Sequence, residues 1–214
     1  LYGPRMSRLK VGVLISGRGS NMEALVEACC AGDHPAEISV VISNQPAAAG
    51  LERAACFGIK TEVVDHTAFA DKASFEAKVI RVLEENEVEL ICLAGFMRVL
   101  SEDFVASFPH KIINIHPSLL PAFPGLQVQQ KAIEYGVRHT GCTVHFVVPE
   151  VDAGPIILQA VVPIEQEDTA ETLAARILEQ EHLVYPRAVE LFAQGRLSIE
   201  GRRVLISEEG KDNA

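Results

Sequence analysis

The chain has 214 residues, 48% of them hydrophobic, and a formal net charge of -10, which suits one domain with a substantial core. The acidic balance argues against a general nucleic-acid binder, which needs a basic face, yet it permits an anionic small substrate because a local site can be positive. No apolar run is long enough to span a membrane, and five cysteines without metal-ligand spacing fit reduced thiols in a cytoplasmic protein with no metal.

Leu1 to Arg5, ahead of Met6, read as an added leader with Met6 as a start, and no signal peptide precedes the first strand. Residues 1–10 are set aside as a tail, 11–206 are read as one domain, and 207–214 as a short polar tail. Unbroken apolar runs predict buried strands at Val11–Ser16, Ile38–Ser43, Thr61–Val64 and Glu89–Ala94, with helices at Asn21–Cys30, Ala47–Phe57 and Ser74–Glu85 between them. Such alternation implies right-handed crossovers and a parallel sheet covered on both faces. A strand ending in Asn114-Ile115-His116 follows, then a short helix near Gln127–Tyr135. Cys142–Val148 and Ile156–Val162 come in close succession, as antiparallel neighbours do. A long amphipathic helix is expected from Thr169, as N-cap, to Ala193, with Gly195 as the stop. Arg196–Ile199 and Arg203–Ile206 read as a hairpin around Gly201. The expected fold class is α/β: a Rossmann-like, mostly parallel sheet with helices on both faces and antiparallel C-terminal strands.

Three places carry chemistry. In a strand, residues i and i+2 point the same way, so Asn114 and His116 converge on one face while Ile113 and Ile115 anchor the other. Pro117 then stops the strand. An amide beside an imidazole can stabilise a developing oxyanion and move a proton, although a lone strand-end Asn or His more often just bonds to nearby backbone. The loop Ser16-Gly17-Arg18-Gly19-Ser20-Asn21 joins the first strand to a helix N-terminus, where free amides attract a phosphate. It lacks the third glycine of a dinucleotide fingerprint and the lysine of a P-loop, and an ordinary tight turn capped by Ser20 or Asn21 explains it as well. Asp152 stands in a turn, where aspartate commonly bonds to backbone amides. Ser118 lies behind a proline and outside any nucleophile elbow, so a nucleophile should come from the substrate.

Taken together, the glycine-rich loop, Leu93-Ala94-Gly95-Phe96-Met97-Arg98, the Asn-x-His-Pro tract, Asp152-Ala153-Gly154-Pro155-Ile156 and Gln180-Glu181-His182 carry a resemblance. From Val11 to about Gly201 the chain resembles the folate-dependent formyltransferases, and the glycine-rich loop with the Gln-Glu-His element narrows this to the glycinamide ribonucleotide branch. The resemblance implies formyl transfer from 10-formyltetrahydrofolate, as co-substrate, to the amine of 5-phosphoribosylglycinamide in purine synthesis. It makes Asn114, His116 and Asp152 the catalytic residues, with Asp152 holding the imidazole. It carries substrate phosphate onto Gly19, Ser20 and Asn21, and substrate ribose onto Glu181, which otherwise reads as a solvated helix position. Folate is expected between Met97-Arg98-Val99-Leu100 and Val148-Pro149-Glu150-Val151-Asp152, with Asn114 also in contact.

Two residues depart from the family pattern. Lys72 stands where an arginine often lies near the folate, keeping charge but losing the bidentate fork, and Gln129 stands where histidine is common. His110, His139, His145 and His182 read as structural or exposed, and no metal is assigned. The resemblance implies no nucleic-acid or membrane partner and leaves a homodimer open. Its rivals are a sugar-nucleotide or methionyl-tRNA formyltransferase, a formyltetrahydrofolate hydrolase and, from another class, a nucleotide-binding regulatory module. The last would not need Asn114, His116 and Asp152 together.

Overall fold

Strand β1 (Leu9–Ile15) is apolar along nearly its whole length, and Val11, Val13, Leu14 and Ile15 are fully buried, as a strand covered on both faces requires. The computed structural model describes residues 7–208, so the leader expected at Leu1–Arg5, the start at Met6 and most of the polar tail lie outside them. After β1 come α1 (Ser20–Cys30), β2 (Ala36–Ser43), α2 (Ala49–Cys56), β3 (Thr61–Val63), α3 (Lys72–Glu85), β4 (Leu90–Leu93) and α4 (Glu102–Ser107). Then follow β5 (Ile112–His116), α5 (Val128–Tyr135), β6 (His139–Phe146), β7 (Ile156–Pro163), α6 (Ala170–Ala193), β8 (Leu197–Glu200) and β9 (Arg203–Ile206).

The strands form one nine-stranded sheet in the order β3-β2-β1-β4-β5-β6-β7-β9-β8. The first five are parallel, and β6 and β7 run antiparallel to their preceding neighbours. The α/β class with antiparallel C-terminal strands is thus present. The hairpin β8–β9 does not stand apart: β9 joins β7 in parallel through Ile156 and Arg203. Two apolar clusters cover the two faces. One packs Met22, Leu25 and Val26 of α1 and Leu173, Ile177 and Tyr185 of α6 against Val11, Val13 and Ile113; the other packs Phe75, Val79 and Leu83 of α3 and Phe104 of α4 against Leu14, Ile91 and Ile112.

Strand order reverses between β1 and β4, and in an open α/β sheet the crevice at such a switch point, beyond the strands' carboxyl ends, is where ligands bind. The loops after β1 and β4 both open there. Helix α6 is brought to the same place by Tyr185, fully buried, whose hydroxyl lies 2.9 Å from the carbonyl of Leu93 and 3.1 Å from that of Ile113. Thr169 caps α6 in a reciprocal box with Thr172, and Gly195 follows the helix at φ 67°.

Three local features differ from expectation. Helix α4, capped by Ser101 and led by Glu102 and Asp103, is too short to print a helical period, as is the 3-10 turn His66–Ala68. Helix α1 is preceded not by a capping Ser20 or Asn21 but by Gly19 in the left-handed region, with no side-chain cap.

Candidate active site

Strand alternation sets the polar pair at the sheet's carboxyl edge. Ile113 and Ile115 point into the α1/α6 core, while Asn114 and His116 line a cavity of about 560 Å³. Asp152 reaches the same place from the β6–β7 connection. Its backbone is left-handed at φ 54°, a conformation that Asp tolerates better than most residues. Its Oδ2 accepts from the Gly125 amide at 2.8 Å and faces His116 Nδ1 at 3.5 Å. The chain then folds straight back onto β6 at Gly154, where a Cβ would lie 1.7 Å from the Phe146 carbonyl oxygen, so only glycine fits.

His116 Nε2 lies 2.9 Å from the Phe123 carbonyl oxygen. Two acceptors therefore face the two ring nitrogens, an arrangement that an imidazole carrying both N–H groups satisfies. Ser118 is fully buried, its hydroxyl within 2.6 Å of the Ala122 carbonyl, and is no nucleophile.

His145, read from sequence as structural or exposed, is buried at 2% exposure and lies opposite Asn114 in the β5–β6 ladder, where it also lines the cavity. Its Nδ1 sits 2.9 Å from the Phe146 carbonyl, which it meets as a donor, leaving Nε2 to accept from Asn114 Nδ2 at 3.3 Å. Burial holds this imidazole below its ordinary pKa, so it stays neutral and keeps that acceptor. Only the antiparallel register of β5 against β6 reveals the contact, and the register was the missing signal. His110 instead packs edge-on to Phe146.

At one end of the cavity stand Asn21 and Glu181, with Asn21 Nδ2 donating to Glu181 Oε2 at 2.7 Å. Glu181 is 6% exposed rather than solvated, and burial raises its carboxyl pKa. Asn21 Oδ1 is buried without a hydrogen-bond partner among the described residues. Gly19 and Ser20 begin α1 just behind this pair, outside the cavity wall itself. Gly19 packs on α2, and the Gly50 amide donates to the Gly17 carbonyl at 3.0 Å.

The opposite walls are the two expected segments. Met97 and Val99 are 68% and 61% exposed, Leu100 is buried, and Arg98 stacks 5.9 Å over the Phe75 ring. Val148, Pro149, Glu150 and Val151 line the facing side, and Gln129 lines the cavity from the first turn of α5. Lys72 is not brought to the cavity: it stands at the start of α3, 3.9 Å from Glu76. The cysteines are free, and burial pushes the thiols of Cys29 and Cys142 up to about 12. Among the described residues no three His, Cys, Asp or Glu side chains gather as a metal site, and no helix is long and apolar enough to cross a membrane.

A family model described as formyl transferase matches residues 9–189. The chain belongs to the formyl transferase family. It is 50% identical over 193 residues to the trifunctional purine biosynthetic protein adenosine-3 of Gallus gallus, covering 90% of this chain and 19% of that protein. The chain thus spans about a fifth of the length of the vertebrate curated relatives it matches. It is 41% identical to the phosphoribosylglycinamide formyltransferase of Escherichia coli, with 89% of this chain and 90% of that protein covered. The crystal structure of glycinamide ribonucleotide transformylase 1 from Symbiobacterium toebii superposes with a TM-score of 0.92 at 50% identity, covering 94% of this chain and 95% of that one. These matches agree with the glycinamide ribonucleotide branch of the family.

Proposed function

We propose that this protein transfers the formyl group of 10-formyltetrahydrofolate to the amine of 5-phosphoribosylglycinamide. The observation that carries the reading is the convergence of Asn114, His116 and Asp152 in one cavity, between a glycine-rich helix start on one side and two exposed, largely apolar walls on the other. The substrate phosphate meets the backbone amides of Gly19, Ser20 and Asn21 at the α1 N-terminus, and Glu181 takes the ribose hydroxyls. The folate lies between the walls 97–100 and 148–152.

The amine nitrogen attacks the formyl carbon, and the carbonyl oxygen becomes an oxyanion. Asn114 donates the Nδ2 hydrogen that is not turned toward His145. The His116 ring, held by Asp152, exchanges its Nε2 contact with the Phe123 carbonyl for the oxyanion. Collapse breaks the bond to the folate nitrogen, which receives the proton lost by the amine through a water. Substrate supplies the nucleophile, and no group becomes attached to the protein.

The test is a formyl-transfer assay with 10-formyltetrahydrofolate against phosphoribosylglycinamide, an amino-sugar nucleotide, methionyl-tRNA and water alone. Formylation of phosphoribosylglycinamide is expected; formate release without a formylated amine would indicate the hydrolase instead. His116→Asn should keep the fold and lose roughly 100-fold or more in turnover, the typical effect of removing one oxyanion donor. Near-normal turnover would remove His116 from the chemistry.

A further inference from the structure

A buried carboxylate that takes no part in this chemistry needs an account, because an acid removed from water is costly unless hydrogen-bonded. Glu76 is 5% exposed on the face of α3 that otherwise buries Phe75, Val79, Val82 and Leu83. Both of its oxygens are directed at one residue: Oε1 accepts from the Ser101 amide at 2.9 Å, and Oε2 accepts from the Ser101 hydroxyl. Ser101 ends the wall that begins after β4 and also caps α4 through the Phe104 amide. The other end of the wall is tied to β1, where Ser16 Oγ accepts from the Met97 amide at 2.8 Å. Between these two anchors Leu100 is buried but the side chains of Met97 and Val99 are largely in solvent, so apolar packing alone does not hold the segment. Helix α3 touches it a second time, where Arg98 stacks on Phe75.

We propose that Glu76 is a positioning residue for the folate wall, and that Lys72 acts on that wall through Glu76 rather than by touching the folate. The occupant of the wall rests on the function proposed above. Lys72 Nζ lies 3.9 Å from Glu76 Oε1 and its side chain is 44% exposed, so it supports the carboxylate from the solvent side. This gives a place to a residue that the cavity excludes. A bidentate grip on one backbone amide and one hydroxyl sets the end of the segment to within hydrogen-bond tolerance. The wall's distance from the opposite segment follows from that.

The experiment compares Glu76→Ala, Glu76→Gln and the parent, measuring KM separately for 10-formyltetrahydrofolate and phosphoribosylglycinamide. Glu76→Ala is expected to raise the folate KM about tenfold or more, with the other KM within about twofold. Glu76→Gln keeps an acceptor for the amide and a donor for the hydroxyl, and should return the folate KM close to the parent's. If Glu76→Ala fails to fold, Glu76→Met, an apolar side chain of similar length, is expected to fold and show the same selective loss. Amide hydrogen exchange should be faster at 95–101 in the Ala or Met variant and unchanged at 17–21. Equal losses for both substrates, or an unmoved folate KM, would overturn the role of Glu76. Lys72→Met should raise the folate KM in the parent and have no further effect beside Glu76→Gln; the same factor in both backgrounds would mean direct contact and overturn the role of Lys72. A parent that transfers no formyl group defeats the functional reading instead, and the exchange data still decide whether Glu76 anchors the segment.

Discussion

Gly19 is the position where one added carbon should separate binding of the two substrates. Its φ of 73° lies in the left-handed region, which costs a residue bearing a Cβ about 1–2 kcal/mol. A Cβ there would also stand 2.8 Å from the Gly50 Cα and 3.0 Å from the Met22 Cε. The methionine tip can swing away, but the Gly50 contact is backbone. Gly50 is itself hydrogen-bonded to Gly17, so the loop and the start of α2 must separate by several tenths of an ångström. The amides proposed to meet the phosphate move with them. A loss of about 1.5–3 kcal/mol in phosphate affinity converts to a rise of about 10- to 100-fold in KM for phosphoribosylglycinamide. Gly19→Val should sit at the upper end, because a β-branched residue tolerates this conformation worst, and Gly19→Ala at the lower. Ser20→Ala should be milder than either, since the proposed phosphate contacts are backbone amides. The assay pairs steady-state KM values with titration of a non-reactive folate analogue on the same preparations, and with thermal melts. Folate affinity is expected within about twofold of the parent. A parallel loss of folate affinity would point to general damage, and an unchanged KM for phosphoribosylglycinamide would refute the phosphate-loop argument outright.

A second expectation concerns His145. Because burial depresses its pKa, it remains neutral at pH 7 and keeps Asn114 turned the right way. As pH falls through the lowered value, a proton arrives at Nε2 and opposes the Asn114 N–H, so turnover should drop; His145→Gln should remove that acid limb, and a limb unchanged in the folded variant would refute the role. The unfolded imidazole protonates first, so stability from this group falls as pH drops below the ordinary histidine range. The third expectation is structural. The Arg176 guanidinium grips Asp168 at 2.7 and 2.9 Å and holds its carboxyl well below the usual carboxylate range. That stability is present above the unfolded carboxylate pKa and is lost as pH falls toward the folded one. Asp168→Asn should therefore lower Tm at neutral pH, and the gap between the two proteins should close in strongly acidic buffer; a gap independent of pH would remove the ion pair from the account.

Much of this protein was legible in one dimension because its signals are local. Unbroken apolar runs at Val11–Ile15 and Leu90–Leu93 announce strands buried on both faces, and Thr169 with Gly195 brackets α6. The two-residue period of a strand suffices to put Asn114 and His116 on one side, with Ile113 and Ile115 on the other. The chemistry of those residue types reaches only as far as oxyanion stabilisation and proton movement; formyl transfer is what the resemblance of the motifs to the formyltransferase family implies.

Tertiary structure alone decided the rest, because it depends on pairing and register rather than on neighbours in the chain. His145 became part of the site only when β6 paired antiparallel with β5 and set it opposite Asn114. Glu181, which by residue type alone reads as a solvated helix position, became a buried partner of Asn21 because Tyr185 pins α6 beneath the ends of β4 and β5. Lys72 left the cavity for Glu76, one helical turn away, and Gly19 took the place of a side-chain cap because α2 packs too closely for a Cβ. Apart from the Lys72–Glu76 pair, which shares one helix, residues from distant parts of the chain share one small volume in each case, and no local pattern encodes the distances between them.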